Sequence, residues 1–177
     1  MKISRTALMC FIVLSIFAIN DAGAADGDWK TMSAEGATVS FEMPEPIKMN
    51  EEPSQGLVVY ASRKEKKSFK LSIVKRNAEE DKTKGLSDEQ VLKTFASRVL
   101  LASKQQFAQM NMQTEFRPTG DLTIEGGLGQ EYVGQVGKAT VVNRFFVDQN
   151  ALYFQEAISQ DTENPDYKKF LASFKLK

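Results

Sequence analysis

One segment, from Leu128 to Ile158, constrains the fold more than any other because it has the pattern of three consecutive antiparallel strands. Apolar and polar residues alternate along it, as expected for strands buried on one face. Gly137-Lys138 supplies a two-residue turn with glycine first, and Gln149-Asn150 supplies the second turn. The alternation groups the large residues by face: Leu128, Tyr132 and Val136; Val141, Phe145 and Val147, opposite Val142, Arg144 and Phe146; and Leu152, Phe154 and Ile158. Apolar faces of this extent have to be covered, so the rest of the chain is expected to supply the cover.

More strands are predicted before this segment. Residues 37–43 alternate in the same way and end at Pro44, since proline donates no hydrogen bond to a ladder. Residues 57–63 and 68–76 form a predicted hairpin. Two polar stretches are predicted to be loops: 48–55 and 77–85.

Two helices are predicted as well. Ser87 and Gln90 have the spacing of a capping box, which marks a helix start. Apolar residues then recur every three or four positions: Val91, Leu92, Phe95, Ala96, Val99, Leu100, Ala102, Phe107 and Met110. So wide a stripe is typical of a helix that lies on a sheet. Asn164 and Pro165 indicate a second, shorter helix at the C-terminal end. Together these elements predict one α+β domain with a mainly antiparallel sheet, whose helices cover one face or both.

The N-terminal residues have the pattern of a secretory signal. Lys2 and Arg5 are followed by an apolar run over residues 7–19, which is too short to span a bilayer comfortably. Ala22 and Ala24 place small residues at the −3 and −1 positions of a signal-peptidase site. We therefore predict that residues 1–24 are a cleaved signal and that 25–177 form the mature domain, in the periplasm or outside the cell. The alternative is an uncleaved membrane anchor.

The number of cysteines and the net charge give further information on how the chain is stabilised and what it binds. Cys10 is the only cysteine and lies inside the apolar run, so the mature chain would have no disulfide and would depend on a packed core. The whole chain carries 23 basic and 23 acidic residues. That balance lacks the basic excess typical of nucleic-acid binding. We expect a monomer, with no integral membrane span after cleavage.

Several chemistries are excluded by residue type. The chain has no histidine, so Ser-His-Asp and Cys-His nucleophile systems cannot be built, and zinc, copper and haem sites lose their usual ligands. The glycine-rich stretch from Gly126 to Gly129 leads into a strand and not into a helix, so hairpin geometry explains it better than a phosphate cradle. We predict no catalytic, cofactor-binding or metal-binding residue.

Carboxylates are the remaining source of chemistry. They cluster in three places: Glu51-Glu52; Glu79-Glu80-Asp81; and Asp161, Glu163 and Asp166. All three lie in predicted loops or at a helix start, where solvated acids are the usual outcome. A calcium site at the third cluster lacks EF-hand spacing. A hydrolase that works through carboxylates alone stays an alternative and would require two acids that face each other in a cleft.

Two candidate contact surfaces stand out. Arg63, Lys64, Lys66 and Lys67 form a basic hairpin tip, which either contacts an anionic partner or simply keeps the hairpin soluble. The aromatic residues of the three-strand segment either include a partner-binding surface or, with both sheet faces covered, belong to the core: Phe145, Phe146, Tyr153 and Phe154.

The chain resembles the PsbP-like fold family. The resemblance rests on the early ATVSFEMPEP, the segment GGLGQEYVGQVGKATVVNRFFVDQNALYFQEAISQ, and the closing PDYKKFLASFKL. It covers residues 29–177 and extends to the small exported bacterial proteins called DcrB-like. DcrB-like proteins are usually lipoproteins, and the position of Cys10 departs from that pattern.

The resemblance implies an α/β/α sandwich with a central, mainly antiparallel sheet of about six to seven strands, one long helix and one short C-terminal helix. It also implies a binding or assembly role in place of catalysis, and it carries over no functional residue. We therefore expect an exported, non-catalytic binding or envelope-associated protein that needs no cofactor and has an unidentified protein or envelope partner. The alternatives are the carboxylate-dependent hydrolase and a carrier of a small apolar ligand.

Overall fold

The structure, a computed structural model, describes residues 28–34 and 39–176. A seven-stranded sheet is formed by β3 (Ile47–Glu52), β4 (Leu57–Lys64), β5 (Lys67–Lys75), β6 (Arg117–Ile124), β7 (Gly127–Val136), β8 (Ala139–Val147) and β9 (Ala151–Ser159). Its strands lie in the order β3-β4-β5-β9-β8-β7-β6, and every neighbouring pair is antiparallel. A smaller sheet has the order β1-β2-β10 and is formed by β1 (Trp29–Ser33), β2 (Val39–Pro44) and β10 (Lys175–Leu176).

The two faces of the large sheet are covered differently. The described residues include three α-helices: α1 (Ala78–Thr83), α2 (Asp88–Gln109) and α3 (Pro165–Ser173). Helix α2 covers one face, where its apolar side packs on β7 and β8. Helix α3 and the small sheet together cover the other face. The α+β sandwich is confirmed, and the question of one face or two is answered in favour of two.

The three-strand segment is confirmed, and its large residues lie on the predicted faces. Phe145 and Phe154 lie on the α2 side and stack on each other with ring centroids 5.0 Å apart. Phe146 and Tyr153 lie on the α3 side. All four are buried, so the core interpretation of these aromatics is the correct one. Burial of this many large side chains is what stabilises a chain without disulfides.

The predicted helix starts are also confirmed. Ser87 accepts a hydrogen bond from the backbone N–H of Gln90, and the Gln90 side chain accepts one from the N–H of Ser87. At α3, Asn164 accepts from the N–H of Asp166, and Pro165 occupies the first turn.

Two predicted loops are wrong. The stretch 77–85 contains helix α1, because the Asn77 side chain accepts from the N–H of Glu80 and acidic residues occupy the first turn. The stretch 48–55 contains most of β3, followed by a 3₁₀ turn at Pro53–Gln55. Strand β3 forms one edge of the large sheet and is exposed along most of its length, so it lacks the apolar alternation that marks a strand in sequence.

The glycine-rich stretch serves the sheet. Gly129 lies against the ring of Phe146, where an added Cβ would be 2.6 Å from Cδ1 of that ring. Gly126 has φ +80°, a conformation that favours glycine in the turn before β7. Hairpin geometry and close approach therefore explain these glycines.

The predicted signal lies outside the described residues. That includes Lys2, Arg5, Cys10, Ala22 and Ala24. Across residues 28–34 and 39–176, no helix is both long enough and apolar enough to cross a membrane.

Candidate functional site

A row of buried polar residues crosses the large sheet beneath α2. Lys70 on β5 lies opposite Glu156 on β9, and Glu156 lies opposite Asn143 on β8. Residues opposite each other on antiparallel strands point to the same face, so all three point towards the helix. We call these three residues the polar row. Each of them is at most 2% exposed.

Lys70 is held by two neighbours within the row and beside it. Its Nζ lies 3.0 Å from Oε1 of Glu156 and 4.7 Å from the centroid of the Phe154 ring. Burial lowers the pKa of Lys70, and the Glu156 carboxylate opposes that shift without cancelling it. An ammonium and a carboxylate are thus buried together, and the attraction between their charges has to offset the hydration that each of them loses.

Other polar atoms at this level have no protein partner. Both polar atoms of the Asn143 side chain and Oε2 of Glu156 are buried without a hydrogen bond. Two serine hydroxyls are also buried without a hydrogen bond. Ser72 lies two residues beyond Lys70 on the same face of the sheet, and Ser103 lies on the buried face of α2. Buried side chains of this kind are normally satisfied, so their concentration in one place is unusual.

The opposite face carries its own polar group. Arg144 donates from Nε to Oε2 of Glu131 at 2.7 Å, and from a terminal nitrogen to the carbonyl of Leu171 at 2.6 Å. Gln155 donates to the carbonyl of Phe170 at 2.8 Å. These bonds fasten the last turn of α3 to the sheet. Burial raises the pKa of Tyr167 to about 12, and the charge of Glu131 adds to the effect.

The predicted basic tip is only partly at the surface. Lys67 is buried, and its Nζ lies 2.9 Å from Oδ2 of Asp166 and 3.2 Å from Oε2 of Glu65. The Nζ of Lys64 lies 3.4 Å from the same Asp166 oxygen. Burial opposes ionisation of Asp166, but the hydrogen bonds and charges of the two lysines outweigh it and lower its pKa. Arg63 and Lys66 are the exposed members of the tip.

The three predicted acidic clusters lie in separate parts of the structure, and each has a different structural role. Glu51-Glu52 lies on edge strand β3, and Glu79-Glu80-Asp81 forms the first turn of α1. At the third cluster, Asp166 bonds the lysines of the tip and Glu163 pairs with Lys168. Within the described ranges no group of three or more acidic, histidine or cysteine side chains could hold a metal ion.

Only two carboxylates are buried in the described part of the chain, Asp148 and Glu156. Asp148 accepts hydrogen bonds from the N–H groups of Asn150 and Ala151 and from the hydroxyl of Tyr153, so it shapes the turn before β9. Glu156 lies in the polar row. The two serve different parts of β9 and do not form an acid–base pair.

Arg76 joins three elements at the end of the sheet. It donates to Oδ2 of Asp81 at 2.8 Å, to Oδ1 of Asp88 at 2.6 Å and to the carbonyl of Asp148 at 2.7 Å. It thereby ties α1 and the start of α2 to the turn between β8 and β9.

A surface groove lies at the C-terminal end of α2. It encloses about 770 Å³ between the end of that helix, the connecting segment 112–115, the edge strand β6 and its neighbour β7. Its lining includes Lys104, Ala108, Met112, Thr114 and Val133. We call it the α2 groove. Concave sites with a mixed apolar and polar lining are where small ligands and peptide segments usually bind.

The sequence pointed to the tip but not to the polar row. Lys70 and Ser72 alternate with Phe69, Leu71 and Ile73, which is the pattern of a strand with one solvated face. The available signal was Val74, Phe154 and Ile158, which share a face with the polar residues and would not be left in water. That signal indicates a second covered face, and hence buried charge.

Comparison with solved structures supports the predicted fold family. The solution structure of cyanobacterial PsbP (CyanoP) from Synechocystis sp. PCC 6803 is similar with a TM-score of 0.55, at 14% identity, over 91% of this chain and 99% of that chain. The predicted PsbP-like fold is therefore confirmed, while identity this low establishes the fold alone. A Pseudomonas aeruginosa protein of unknown function gives a TM-score of 0.33 at 12% identity, over 80% of this chain and 90% of its own, and supports no argument. No protein-family model matches the chain, and no curated protein matches it.

Proposed function

We propose that this chain is an exported, non-catalytic binding protein that serves as an accessory component of a cell envelope, in the periplasm or outside the cell. One observation carries the proposal: Asp148 accepts hydrogen bonds within its own turn and from Tyr153, and Glu156 is paired with Lys70 beneath α2, so neither buried carboxylate faces the surface. A general base or nucleophile has to face its substrate, and neither of these does. The PsbP-like fold is in keeping with such a role. As part of the same proposal, the chain is one of the small exported bacterial proteins of the DcrB-like kind.

Export is supported by the N-terminal pattern that ends at Ala22 and Ala24. The full chain expressed with its own start in a Gram-negative host is expected to appear in the periplasmic fraction, with an intact mass that begins at Ala25. An Ala24→Leu variant is the matched control and should retain the signal, because a large residue at −1 blocks the peptidase. A wild-type chain that keeps Met1 and stays in the cytoplasmic fraction would contradict export, whereas one that keeps Met1 in the membrane fraction would indicate the uncleaved anchor.

The α2 groove is the surface that the proposal assigns to a partner. Cross-linking in intact cells is expected to capture a defined envelope protein with the wild-type chain. Ala108→Arg fills the groove from an exposed helix position and should abolish that product. The paired variant Arg63→Glu/Lys66→Glu tests the basic tip by the same readout. A product that survives all three substitutions, or a chain that yields none, would count against a binding role for these surfaces.

A second candidate is the carrier of a small apolar ligand, and the volume of the α2 groove is the observation that favours it. Titration with a fluorescent fatty acid separates the two functions. A carrier binds the probe in a manner that Ala108→Arg abolishes, whereas a protein-binding groove leaves the probe in solution. The hydrolase alternative gains no support from the arrangement of the buried carboxylates.

A further inference from the structure

We propose that the polar row beneath α2 is a binding site for ordered water molecules, which bridge Asn143 and Glu156 to the helix. This inference is independent of the proposed function. It concerns the interior of the protein, where it assigns a ligand to polar atoms that the fold otherwise leaves unsatisfied.

Polar atoms of two neighbouring residues in the row have no hydrogen-bond partner. Asn143 can make four side-chain hydrogen bonds, yet its oxygen and nitrogen are buried with none. Oε2 of Glu156, on the neighbouring strand, is in the same condition. A buried amide or carboxylate oxygen without a partner is costly, and native proteins commonly satisfy such groups with internal water.

Helix α2 passes over the polar row between two of its phenylalanines. Phe95 of α2 packs edge-on against Phe145, with ring centroids 5.8 Å apart, and Phe107 packs with Val141. Asn143 lies midway between Phe145 and Val141 on β8. The helix therefore crosses the row between its two phenylalanines, and the polar residue of its buried face there is Ser103, whose hydroxyl also has no partner.

The residues that adjoin the polar row are smaller than those on either side of it. Phe95 and Phe107 fill the interface on either side of the row, whereas the polar residue between them on the buried face of α2 is a serine, and Asn143 is the smallest member of the row. The neighbour of Lys70 on its other side is Ala61, and Ser72 follows on the same strand. The long side chains of Lys70 and Glu156 therefore have small polar neighbours, and a buried water molecule is stable where it has two to four polar partners.

The chemistry of the row selects water over an ion. A metal cation placed there would meet the ammonium of Lys70, and an anion would meet the carboxylate of Glu156. The unsatisfied atoms include donors and acceptors together: the amide nitrogen donates, the carboxylate and amide oxygens accept, and the two hydroxyls do both. Water is the small ligand that satisfies such a mixture without adding charge.

The experiment compares the wild-type chain with Asn143→Leu and uses two measurements. In the wild type, the Asn143 side-chain amide protons are expected to show exchange or Overhauser contacts to water, and oxygen-17 relaxation dispersion is expected to count at least one long-lived internal water that the variant loses. The melting temperature of the variant should fall by about 3 °C or more. The reason is that leucine expels the water and leaves Glu156 and Ser103 without it.

If the polar row holds no water, the melting temperature of Asn143→Leu is expected to change in the opposite direction. If nothing bridges Asn143, replacement by an apolar residue of similar volume removes an unsatisfied amide, and the melting temperature stays level or rises. Absence of water contacts at the wild-type amide would overturn the proposal by itself, even if the variant did not fold. Ser103→Ala provides the milder check, since it removes one bridging group from the helix side and should lower the melting temperature without emptying the site.

Discussion

Lys70 and Glu156 lie directly opposite each other on β5 and β9, with Nζ of the lysine 3.0 Å from Oε1 of the glutamate, beneath a 22-residue helix. Two opposite charges in so enclosed a place offset each other's loss of hydration. The attraction repays that loss only while both are present, so the pair behaves as a unit.

Removal of one charge is expected to be far more harmful than removal of both. Lys70→Met and Glu156→Leu should each lower the free energy of unfolding by about 3–5 kcal/mol, because the remaining charge is left buried without its partner. The double variant Lys70→Met/Glu156→Leu should be closer to wild type than either single variant. Urea denaturation of the four proteins measures the coupling as a double-mutant cycle.

An exposed pair on the same protein serves as the comparison. Lys93 and Glu89 are paired at 2.6 Å on the solvent side of α2. Alanine substitutions there should leave the urea midpoint nearly unchanged, with little coupling between the two sites, because solvent screens the charges of an exposed pair. Equal, additive losses at both pairs would contradict the assignment of Lys70 and Glu156 as a mutually dependent unit.

The carboxylate of Asp166 predicts an acid-sensitive contribution to stability. Lys67 and Lys64 lower its pKa in the folded state against the opposing effect of burial. A group with a depressed folded pKa stabilises the fold above its ordinary pKa of about 4 and loses that contribution as the pH falls through the folded value. Asp166→Asn should therefore cost about 1 kcal/mol at neutral pH and progressively less below about pH 4.

Unfolding curves of wild type and Asp166→Asn between neutral and strongly acidic pH test this expectation. Glu163→Gln is the control, because that carboxylate lies on the same helix entry but pairs with the exposed Lys168. If the difference in free energy of unfolding between wild type and Asp166→Asn grew on acidification, the lowered pKa of Asp166 in the folded state would be contradicted.

Gly129 predicts a packing effect of a different kind. A Cβ at this position would lie 2.6 Å from the ring of Phe146, and that ring is stacked on Phe174 with centroids 4.4 Å apart. The ring therefore has little room to retreat. Gly129→Ala should lower the free energy of unfolding by about 1–3 kcal/mol, measured by urea denaturation.

A second substitution tests the cause. In a Phe146→Leu background the obstructing ring is absent, so adding Gly129→Ala should cost much less than it does in wild type. The same cost in both backgrounds would show that the loss arises in the backbone and not from the ring.

The sequence predicted those parts of the fold whose signal is local. Ser87 with Gln90, and Asn164 with Pro165, fix helix starts through bonds that span only a few residues. The strands around Gly137 were predicted because their large apolar residues are separated by even numbers of positions and therefore share a face. At these positions the local sequence pattern and the packing of the folded protein favour the same structure.

The sequence failed where burial depends on a distant element. Lys70 and Asn143 lie on strands whose other face is apolar, so a polar residue at these positions indicates solvent until α2 is placed above it. Likewise, the pairing of Lys67 with Asp166 joins residues that are far apart in sequence. Strand β3 was missed for the reverse reason, because an edge strand exposed on both faces has no alternation to detect.

Arg76 yields the last prediction. Its guanidinium donates to Asp81 of α1, to Asp88 at the start of α2 and to the carbonyl of Asp148. Lysine has the same charge but no planar fork that can reach three acceptors at once. Arg76→Lys should therefore loosen α1 and the first turn of α2 while the sheet stays intact, and it should lower the free energy of unfolding by about 1–3 kcal/mol.

Hydrogen exchange is the direct measurement: amides over 78–91 should exchange faster, and amides of β8 and β9 should not. Arg98→Lys, at an exposed position on α2, is the matched control and should leave both regions unchanged. Uniformly faster exchange across the sheet in Arg76→Lys would show that this residue supports the whole fold and not this end of it alone.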